Sequence, residues 1–239
     1  MSTDPREENL ARCLREASED PTDDARWDAL EDAARALQRP DEVETLYHDV
    51  LGRSLAPEVF TALAQRAMTF HDEWSSDTET VVRLLDRVVT VDPDARWAFD
   101  RLTMLLNVGE RWPELLALYD RAIAAAGDDR DRLGPLLEEA AQVAKDFAAQ
   151  PERAIRYLES LFALDQRNAQ VARSLERLYE RHARHRDLIA LWTARIPYLP
   201  ASEAHATRTR IASCWLDPLR DAASALAATE DLLAPGGDE

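Results

Sequence analysis

The strongest constraint on the fold is a repeat: similar residues return along the chain at intervals of 72 and then 73 positions. Three series keep these steps, namely Leu30, Leu102 and Leu175, then Val43, Leu115 and Leu188, then Tyr47, Tyr119 and Trp192. A fixed period of this kind is typical of solenoids, in which each repeat buries its apolar face against its neighbours. Such proteins usually bind other proteins and seldom catalyse reactions.

Apolar residues are spaced at helical intervals along the chain, and no convincing β-strand pattern interrupts them. One helix face, for example, carries Leu115, Leu118, Tyr119 and Ala122. Prolines and capping Asp or Asn residues stand where helices are expected to begin. We therefore predict four helices in each period, at 24–38, 41–52, 57–73 and 77–90, then at 95–108, 112–126, 132–148 and 151–164, and finally at 168–184, 186–197, 202–216 and 218–233.

These helices predict an all-α protein: a right-handed α-solenoid, or superhelix, of helix-turn-helix pairs that forms a single domain over residues 1–239. We expect a lone capping helix at about 5–18, whose apolar face consists of Leu10, Cys13, Leu14 and Ala17. The repeat units then span about 24–95, 96–167 and 168–235. No capping helix follows Leu226, Leu232 and Leu233, so we expect self-association through this C-terminal end or attachment to further repeats.

The composition limits the partners and the location of the protein. A net charge of −17 is unsuited to nucleic acid or to an anionic membrane surface, because both require basic patches. The N-terminal sequence MSTDPREENL lacks the features of a signal peptide, and no run reaches transmembrane length. Cys13 and Cys214 are near opposite ends, which argues against a disulfide between them. We therefore expect a cytoplasmic protein.

Each period contains two spaced pairs of apolar or aromatic residues. The pairs are Trp27-x-x-Leu30 with Val43-x-x-x-Tyr47, Phe99-x-x-Leu102 with Leu115-x-x-x-Tyr119, and Ala172-x-x-Leu175 with Leu188-x-x-x-Trp192. In this pattern the chain resembles the tetratricopeptide repeat (TPR), a helix-turn-helix motif, and is similar to the tandem arrays of large bacterial proteins. It departs from the motif early in the first helix, where a small residue is replaced by Glu31, Thr103 and Glu176.

No arrangement of residues indicates an active site, a metal site or a cofactor. His182 and His185 are three residues apart, but only Asp187 is near as a further ligand and the flanking arginines would repel a cation. His48 and His71 have no nucleophile or acid–base partner at a recognisable spacing. The chain also lacks a glycine-rich phosphate loop. We therefore predict that the protein is not an enzyme.

A candidate binding surface follows from the resemblance to TPR arrays, whose concave groove is lined by the first helix of each repeat. Groove residues lie about a quarter turn from the buried stripe. In this chain they are Asp28, Asp32, Trp97, Asp100, Met104, Asn107, Arg173, Arg177 and Arg181. We expect the groove to bind an extended or helical segment of a partner, with an apolar anchor at Trp97 and Met104 and acidic residues at the arginines.

The sequence thus predicts a non-catalytic scaffold or adaptor that binds a partner protein or peptide through the solenoid groove. The alternative is an accessory module that regulates a separate catalytic or effector component. A third function, that of a chaperone adaptor, is disfavoured. TPR chaperone adaptors hold a C-terminal carboxylate with lysines and asparagines on their first helices, whereas the corresponding positions here are Asp28, Asp32, Asp100 and Met104.

Overall fold

A computed structural model describes residues 4–74 and 77–233, with side chains described as far as Thr229. This part of the chain is helical and contains no β-strand. Its α-helices are α1 Pro5–Glu19, α2 Asp24–Leu37, α3 Asp41–Leu51, α4 Pro57–Trp74, α5 Thr78–Val91, α6 Arg96–Val108, α7 Trp112–Ala126, α8 Arg130–Gln142, α9 Pro151–Leu164, α10 Ala169–Arg181, α11 His185–Arg195, α12 Ala201–Leu216 and α13 Ala222–Leu233. The chain forms two compact units, Met1–Arg111 with α1–α6 and Trp112–Glu239 with α7–α13.

The first unit is built from helices that each pack against the next, and α1 packs against both α2 and α3. Leu10 and Cys13 are the buried residues by which α1 covers the unit, each with 1% of its surface exposed. At the centre the Trp27 and Tyr47 rings stack with their centroids 4.4 Å apart and their planes 7° from parallel. Phe70 packs against Tyr47 at 6.0 Å, so α2, α3 and α4 share one aromatic core.

The second unit repeats the same pattern of packing between consecutive helices, from α7 to α13. Two helices of this unit are continued by short segments of another helix type. A π-helical segment, Val143–Phe147, extends α8, and a 3₁₀ segment, Ile196–Tyr198, extends α11. The fully buried core side chains of this unit include Leu115, Leu116, Leu118, Ile155 and Leu175. Leu115 and Leu175 were predicted as core positions from the repeat alone.

Short polar side chains fix where many of the helices begin. The carboxylate oxygens of Asp23, Asp77 and Asp129 accept hydrogen bonds from the free backbone N–H groups in the first turns of α2, α5 and α8. Asn168 caps α10 in the same way, as the sequence predicted. α4 and α9 instead begin with Pro57 and Pro151, where the missing N–H costs nothing.

The predicted start of the last helix at residue 218 was wrong, because α13 begins at Ala222. Arg220 adopts a left-handed conformation with φ of 53°. The following residue, Asp221, donates its backbone N–H to the Trp215 carbonyl, and its carboxylate accepts hydrogen bonds from the N–H and hydroxyl of Ser224. This tight turn ends α12 and caps α13. Pro218, which we expected at the start of the last helix, therefore belongs to the loop between them.

The fold class predicted from the sequence is confirmed, since each unit is all-α and consists of consecutive helix-turn-helix pairs that pack against their neighbours as in a solenoid. Short turns join the helices, as antiparallel neighbours require. Among the described residues, no helix combines the length and the apolarity needed to cross a bilayer. Leu226 is 62% exposed, whereas the side chains of Leu232 and Leu233 lie outside the described residues. Self-association through this end therefore stays a prediction.

Candidate partner-binding surfaces

In the first unit, the two predicted acidic groove residues of α2 are exposed but already paired with arginines. Asp28 accepts a hydrogen bond from Arg66 of α4, and Asp32 accepts one from Arg35 at 3.1 Å. Arg35 also binds Glu73 of α4 at 2.9 Å, and its hydrogen bond lowers the pKa of the Glu73 carboxyl. These ion pairs neutralise much of the negative charge that we predicted for this face of α2 from Asp28 and Asp32.

Glu31 is the one charged residue classed as buried in the described part of the chain, with 7% of its surface exposed. Its Oε1 accepts hydrogen bonds from the Tyr47 hydroxyl at 2.5 Å and from Nε of Arg66 at 2.8 Å. Burial, together with the hydrogen bond to Glu31, raises the pKa of the Tyr47 phenol well above its usual value. Through these two hydrogen bonds Glu31 holds α2, α3 and α4 together. It does so at a position where the TPR motif has a small residue.

The α6 helix carries the predicted groove residues Trp97, Asp100, Met104 and Asn107. Trp97 is half-buried, the other three are exposed, and Asp100 lies 3.8 Å from Arg96. Phe99, predicted as a core residue, is only half-buried, and Ala98 takes the core position with no exposed surface. The buried face of α6 is thus centred on Ala98, and Trp97 and Phe99 lie at its two sides.

Val108 extends the apolar side of α6 and was not singled out from the sequence. It lies one helical turn beyond Met104, and the two side chains are 79% and 55% exposed. Trp97, Met104 and Val108 share one face of α6 because they are spaced by seven and four residues. The four-residue interval between Met104 and Val108 could have pointed to this face from the sequence. It was not sufficient, because an exposed apolar stripe and a buried one repeat with the same helical period.

In the second unit, Arg173 and Arg177 of α10 line a groove against α12. The groove has a volume of 480 Å³ and is lined by Gln170, Arg173, Glu176, Arg177, Glu180 and Arg210. Arg181 is exposed at the end of α10 but does not line this cavity. The structure thus brings together two of the three arginines predicted for the arginine-rich part of the groove.

Arg210 of α12 binds the two glutamates of this groove. Its guanidinium donates a hydrogen bond to Glu176 Oε1 and lies 3.6 Å from Glu180 Oε1. The same guanidinium stacks over the Trp192 ring, 4.2 Å from its centroid, which fixes its orientation. Among the described residues, Arg173 and Arg177 form no ion pair, and Arg177 donates only a 3.4 Å hydrogen bond to the Ser174 hydroxyl.

Two further cavities adjoin the arginine groove. One, of 540 Å³, lies between α8, its π-helical extension, α9 and α10, and shares Gln170 with the groove. Its lining includes Lys145, the only lysine of the chain, together with Leu158, Leu161 and Val171. The other, of 250 Å³, lies between α10, α11 and α12 and shares Glu176 and Arg210. The arginine-lined groove and these two cavities together form a depression along α10, which we call the α10 groove.

A buried tyrosine bonded to a carboxylate recurs in the second unit. The Tyr119 hydroxyl donates to Glu139 at 2.9 Å, and the Tyr179 hydroxyl donates to Glu159 at 2.7 Å. Tyr157 donates to Asp120 at 2.5 Å, and burial together with that bond raises the pKa of Tyr157 to about 12. These contacts join different helices of the unit and so stabilise the fold. Burial and the hydrogen bond to Glu159 also raise the pKa of Tyr179, so Tyr157 and Tyr179 stay protonated at neutral pH.

The histidine pair considered as a metal site is divided between two helices. His182 is the C-cap of α10 and His185 begins α11, so the two lie on either side of a turn rather than on one helix face. His71 contacts Glu44 and the Asp77 carbonyl oxygen, both at 3.3 Å. In the part of the chain that the structure describes, no three His, Cys, Asp or Glu residues are grouped so that they could hold a metal ion.

The fold defines a helical-repeat protein, and the surfaces described above are its candidate binding sites. No protein-family model and no curated protein matches the chain. Similar solved structures include BtubC from P. vanneervenii (TM-score 0.31, 15% identity, 95% of this chain and 87% of that one) and PilF from Pseudomonas aeruginosa (TM-score 0.33, 14% identity, 97% and 95%). A third is the TPR domain of P58(IPK) (TM-score 0.28, 12% identity, 94% and 66%). With scores this low, we draw no conclusion about this chain from them.

Proposed function

We propose that this chain is a non-catalytic scaffold or adaptor that binds a segment of a partner protein in the α10 groove. The observation that carries the proposal is the pair Arg173 and Arg177, which are exposed, line a cavity and form no ion pair among the described residues. Acidic residues outnumber basic ones by 46 to 29 in this chain, so carboxylates that could have paired with them are abundant. Two arginines left unpaired in a concave site are therefore well suited to bind a carboxylate from another molecule.

The neighbouring cavity supports the same proposal. Its lining combines apolar side chains, Leu158, Leu161 and Val171, with polar and charged ones that include Glu138, Lys145 and Asp146. Apolar side chains surrounded by polar and charged ones are the usual anatomy of a protein-binding site, in which an anchoring side chain is buried. A partner segment would place one apolar side chain there and acidic residues toward Arg173 and Arg177.

The exposed face of α6 in the first unit, formed by Trp97, Met104 and Val108, is proposed as an additional contact surface. Aromatic and methionine side chains are enriched where proteins bind each other. The acidic residues Asp28 and Asp32 contribute less than the sequence suggested, because arginines of this chain already bind them. We also propose a reducing, cytoplasmic location, which is compatible with Cys13 and Cys214 being free and buried.

Affinity capture from a lysate of the source cells, with quantitative mass spectrometry, tests the proposal. Wild-type protein is compared with the double variant Arg173→Glu, Arg177→Glu. The matched control is Arg130→Glu, Arg156→Glu, which makes the same charge change at exposed positions of the same unit outside the α10 groove. We expect the groove variant to lose a captured protein that the control retains. If both variants retain all captured proteins, the partner does not bind at the α10 groove.

A further inference from the structure

The spacing of the arginines on α10 indicates the kind of segment that fits. Arg173, Arg177 and Arg181 are four residues apart, so they form a row on one side of the helix with a rise of about 6 Å between neighbours. In an extended chain, alternate side chains point the same way and are about 6.6 Å apart. Carboxylates at every second residue of an extended segment therefore match the row of arginines.

A helical segment with carboxylates four residues apart would have a similar spacing, but the part of the α10 groove that contains Arg173 and Arg177 disfavours it. The cavity between α10 and α12 is formed by Gln, Arg and Glu side chains and has no apolar residue in its lining. Helices that bind in grooves do so by burying an apolar face. An extended segment has no such need, because its charged side chains can pair with the groove while its backbone stays in water.

The charge of this groove depends on Arg210. Glu176 and Glu180 lie on the same side of α10 as Arg173 and Arg177, and alone they would cancel the two arginines. Arg210 binds both glutamates from α12 and is held over Trp192. The cavity between α10 and α12 therefore keeps a net positive charge, because three arginines line it against two glutamates. An acidic segment would be attracted with Arg210 in place and would meet two unpaired carboxylates without it.

We infer, building on the proposed function, that the α10 groove selects an extended acidic segment with a carboxylate at every second residue. We further infer that Arg210 determines this specificity by neutralising Glu176 and Glu180. Arg173 and Arg177 bind the carboxylates of the segment as guanidinium forks, and Arg181 extends the row toward the end of α10. Arg210 acts as a positioning and charge-setting residue and does not need to touch the partner.

Binding is measured by fluorescence anisotropy with four labelled peptides that each carry four charged residues. Three have seven residues: Glu and Ser in strict alternation, the same residues with all the Glu in one block, and Lys and Ser in alternation. The fourth is an Ala-rich helical peptide of about 15 residues with Glu at every fourth position, since a shorter peptide does not form a stable helix in water. The alternating acidic peptide should bind wild-type protein about fivefold or more tightly than the block and helical peptides, since it alone presents a carboxylate to each of the three arginines from an extended backbone. The lysine peptide should not bind. Equal affinity for all the acidic peptides would overturn the spacing argument.

Substitutions separate the two parts of the inference. Arg173→Gln with Arg177→Gln should weaken the alternating peptide about tenfold, and Arg130→Gln with Arg156→Gln should leave its affinity unchanged. Arg210→Met keeps an aliphatic stem over Trp192 but releases both glutamates, and it should weaken binding about fivefold or more. Adding Glu176→Gln and Glu180→Gln to Arg210→Met should restore the affinity. If affinity is not restored, Arg210 does not act by neutralising them. Circular dichroism melts confirm that each variant is folded.

Failure of the acidic-segment inference can be distinguished from failure of the proposed function. If no acidic peptide binds while Arg173→Glu with Arg177→Glu still abolishes capture of a cellular partner, the acidic-segment inference is wrong and the scaffold function stands. If that variant also captures everything that wild-type protein captures, the α10 groove is not the binding site and both proposals fail.

Discussion

Glu31 and Arg66 are 35 residues apart in the chain, yet Nε of Arg66 donates a 2.8 Å hydrogen bond to Oε1 of Glu31. The third period repeats this relationship, because Arg210 donates to Glu176 across an interval of 34 residues. In the middle period Thr103 takes the place of the glutamate, and its hydroxyl is buried without a hydrogen-bond partner in the described part of the structure. The ion pair thus belongs to the outer two periods.

The first prediction concerns Glu31→Ala, which puts the small residue of the TPR motif at this position. The change leaves the buried Tyr47 hydroxyl without its acceptor and removes one carboxylate from Arg66. We expect the free energy of unfolding to fall by about 1–3 kcal/mol, the usual cost of leaving a buried polar group unsatisfied. Urea denaturation monitored by tryptophan fluorescence measures it, since Trp27 stacks on Tyr47.

Asp32→Ala is the matched control on the same helix. Asp32 is 80% exposed and bound to Arg35, and an exposed pair of this kind contributes less than about 1 kcal/mol. The prediction about Glu31 is wrong if Glu31→Ala is as stable as Asp32→Ala, or if it is more stable than wild-type protein.

The secondary structure was predictable from the sequence to within a few residues at most helix ends. Apolar spacing and capping residues act locally, so Asn168 marks the start of α10 before any tertiary contact is known. Asp92 and Asp94, which we also expected as caps, do not cap α6, whose N-cap is Ala95. The π-helical segment Val143–Phe147 and the turn at Arg220 were missed. Both depend on backbone hydrogen bonds that the spacing of side chains does not record.

The candidate site was only partly predictable. Helical register identified Arg173 and Arg177 as groove residues, because position on a helix face follows from spacing alone. It could not show that Asp28 is bound by Arg66, or that Arg210 binds Glu176, since each arginine belongs to another helix at least 34 residues away. Pairing between helices depends on tertiary packing, which neither charge nor local spacing reveals.

The second prediction tests the buried seams between helices. Leu102 and Leu175 each have 1% of their surface exposed, so Leu102→Asp or Leu175→Asp buries a charge that has no partner. We expect a loss of about 4 kcal/mol or more, enough to unfold the unit that carries the substitution. Leu226→Asp, at a position 62% exposed, is the control and should melt like wild-type protein. Circular dichroism melts of the three variants measure the loss of stability. An unchanged melting temperature for Leu102→Asp or Leu175→Asp contradicts the packing described above.

The third prediction is a pH dependence in the first unit. The hydrogen bond from Arg101 of α6 to Asp72 of α4 lowers the pKa of Asp72 below its ordinary value of 3.8. A lowered pKa means that the ionised carboxylate is favoured in the folded state. Its stabilisation is therefore present above pH 3.8 and is lost as the pH falls through the lowered value.

Asp72→Asn removes this titration. Asp72 is 45% exposed, so at pH 7 the variant should be less stable than wild-type protein by no more than about 1 kcal/mol. The difference should shrink toward zero at a pH well below 3.8. Urea denaturation at both pH values, with Asp100→Asn as an exposed control on α6, measures the effect. A difference that is the same at both pH values rules out the ionised pair as its source.

The last prediction concerns Trp97, the aromatic residue on the exposed face of α6. Trp97→Ala should weaken binding of a partner recovered by affinity capture by about 2 kcal/mol, as the loss of an aromatic hot spot does. Because Trp97 is only half-buried and Ala98 occupies the core position, the variant should keep its helical spectrum. Titration calorimetry of wild-type protein, Trp97→Ala and the exposed control Glu58→Ala on α4 against that partner gives the comparison. Unchanged affinity in Trp97→Ala would remove the α6 face from the binding surface and leave the α10 groove as the site to be tested.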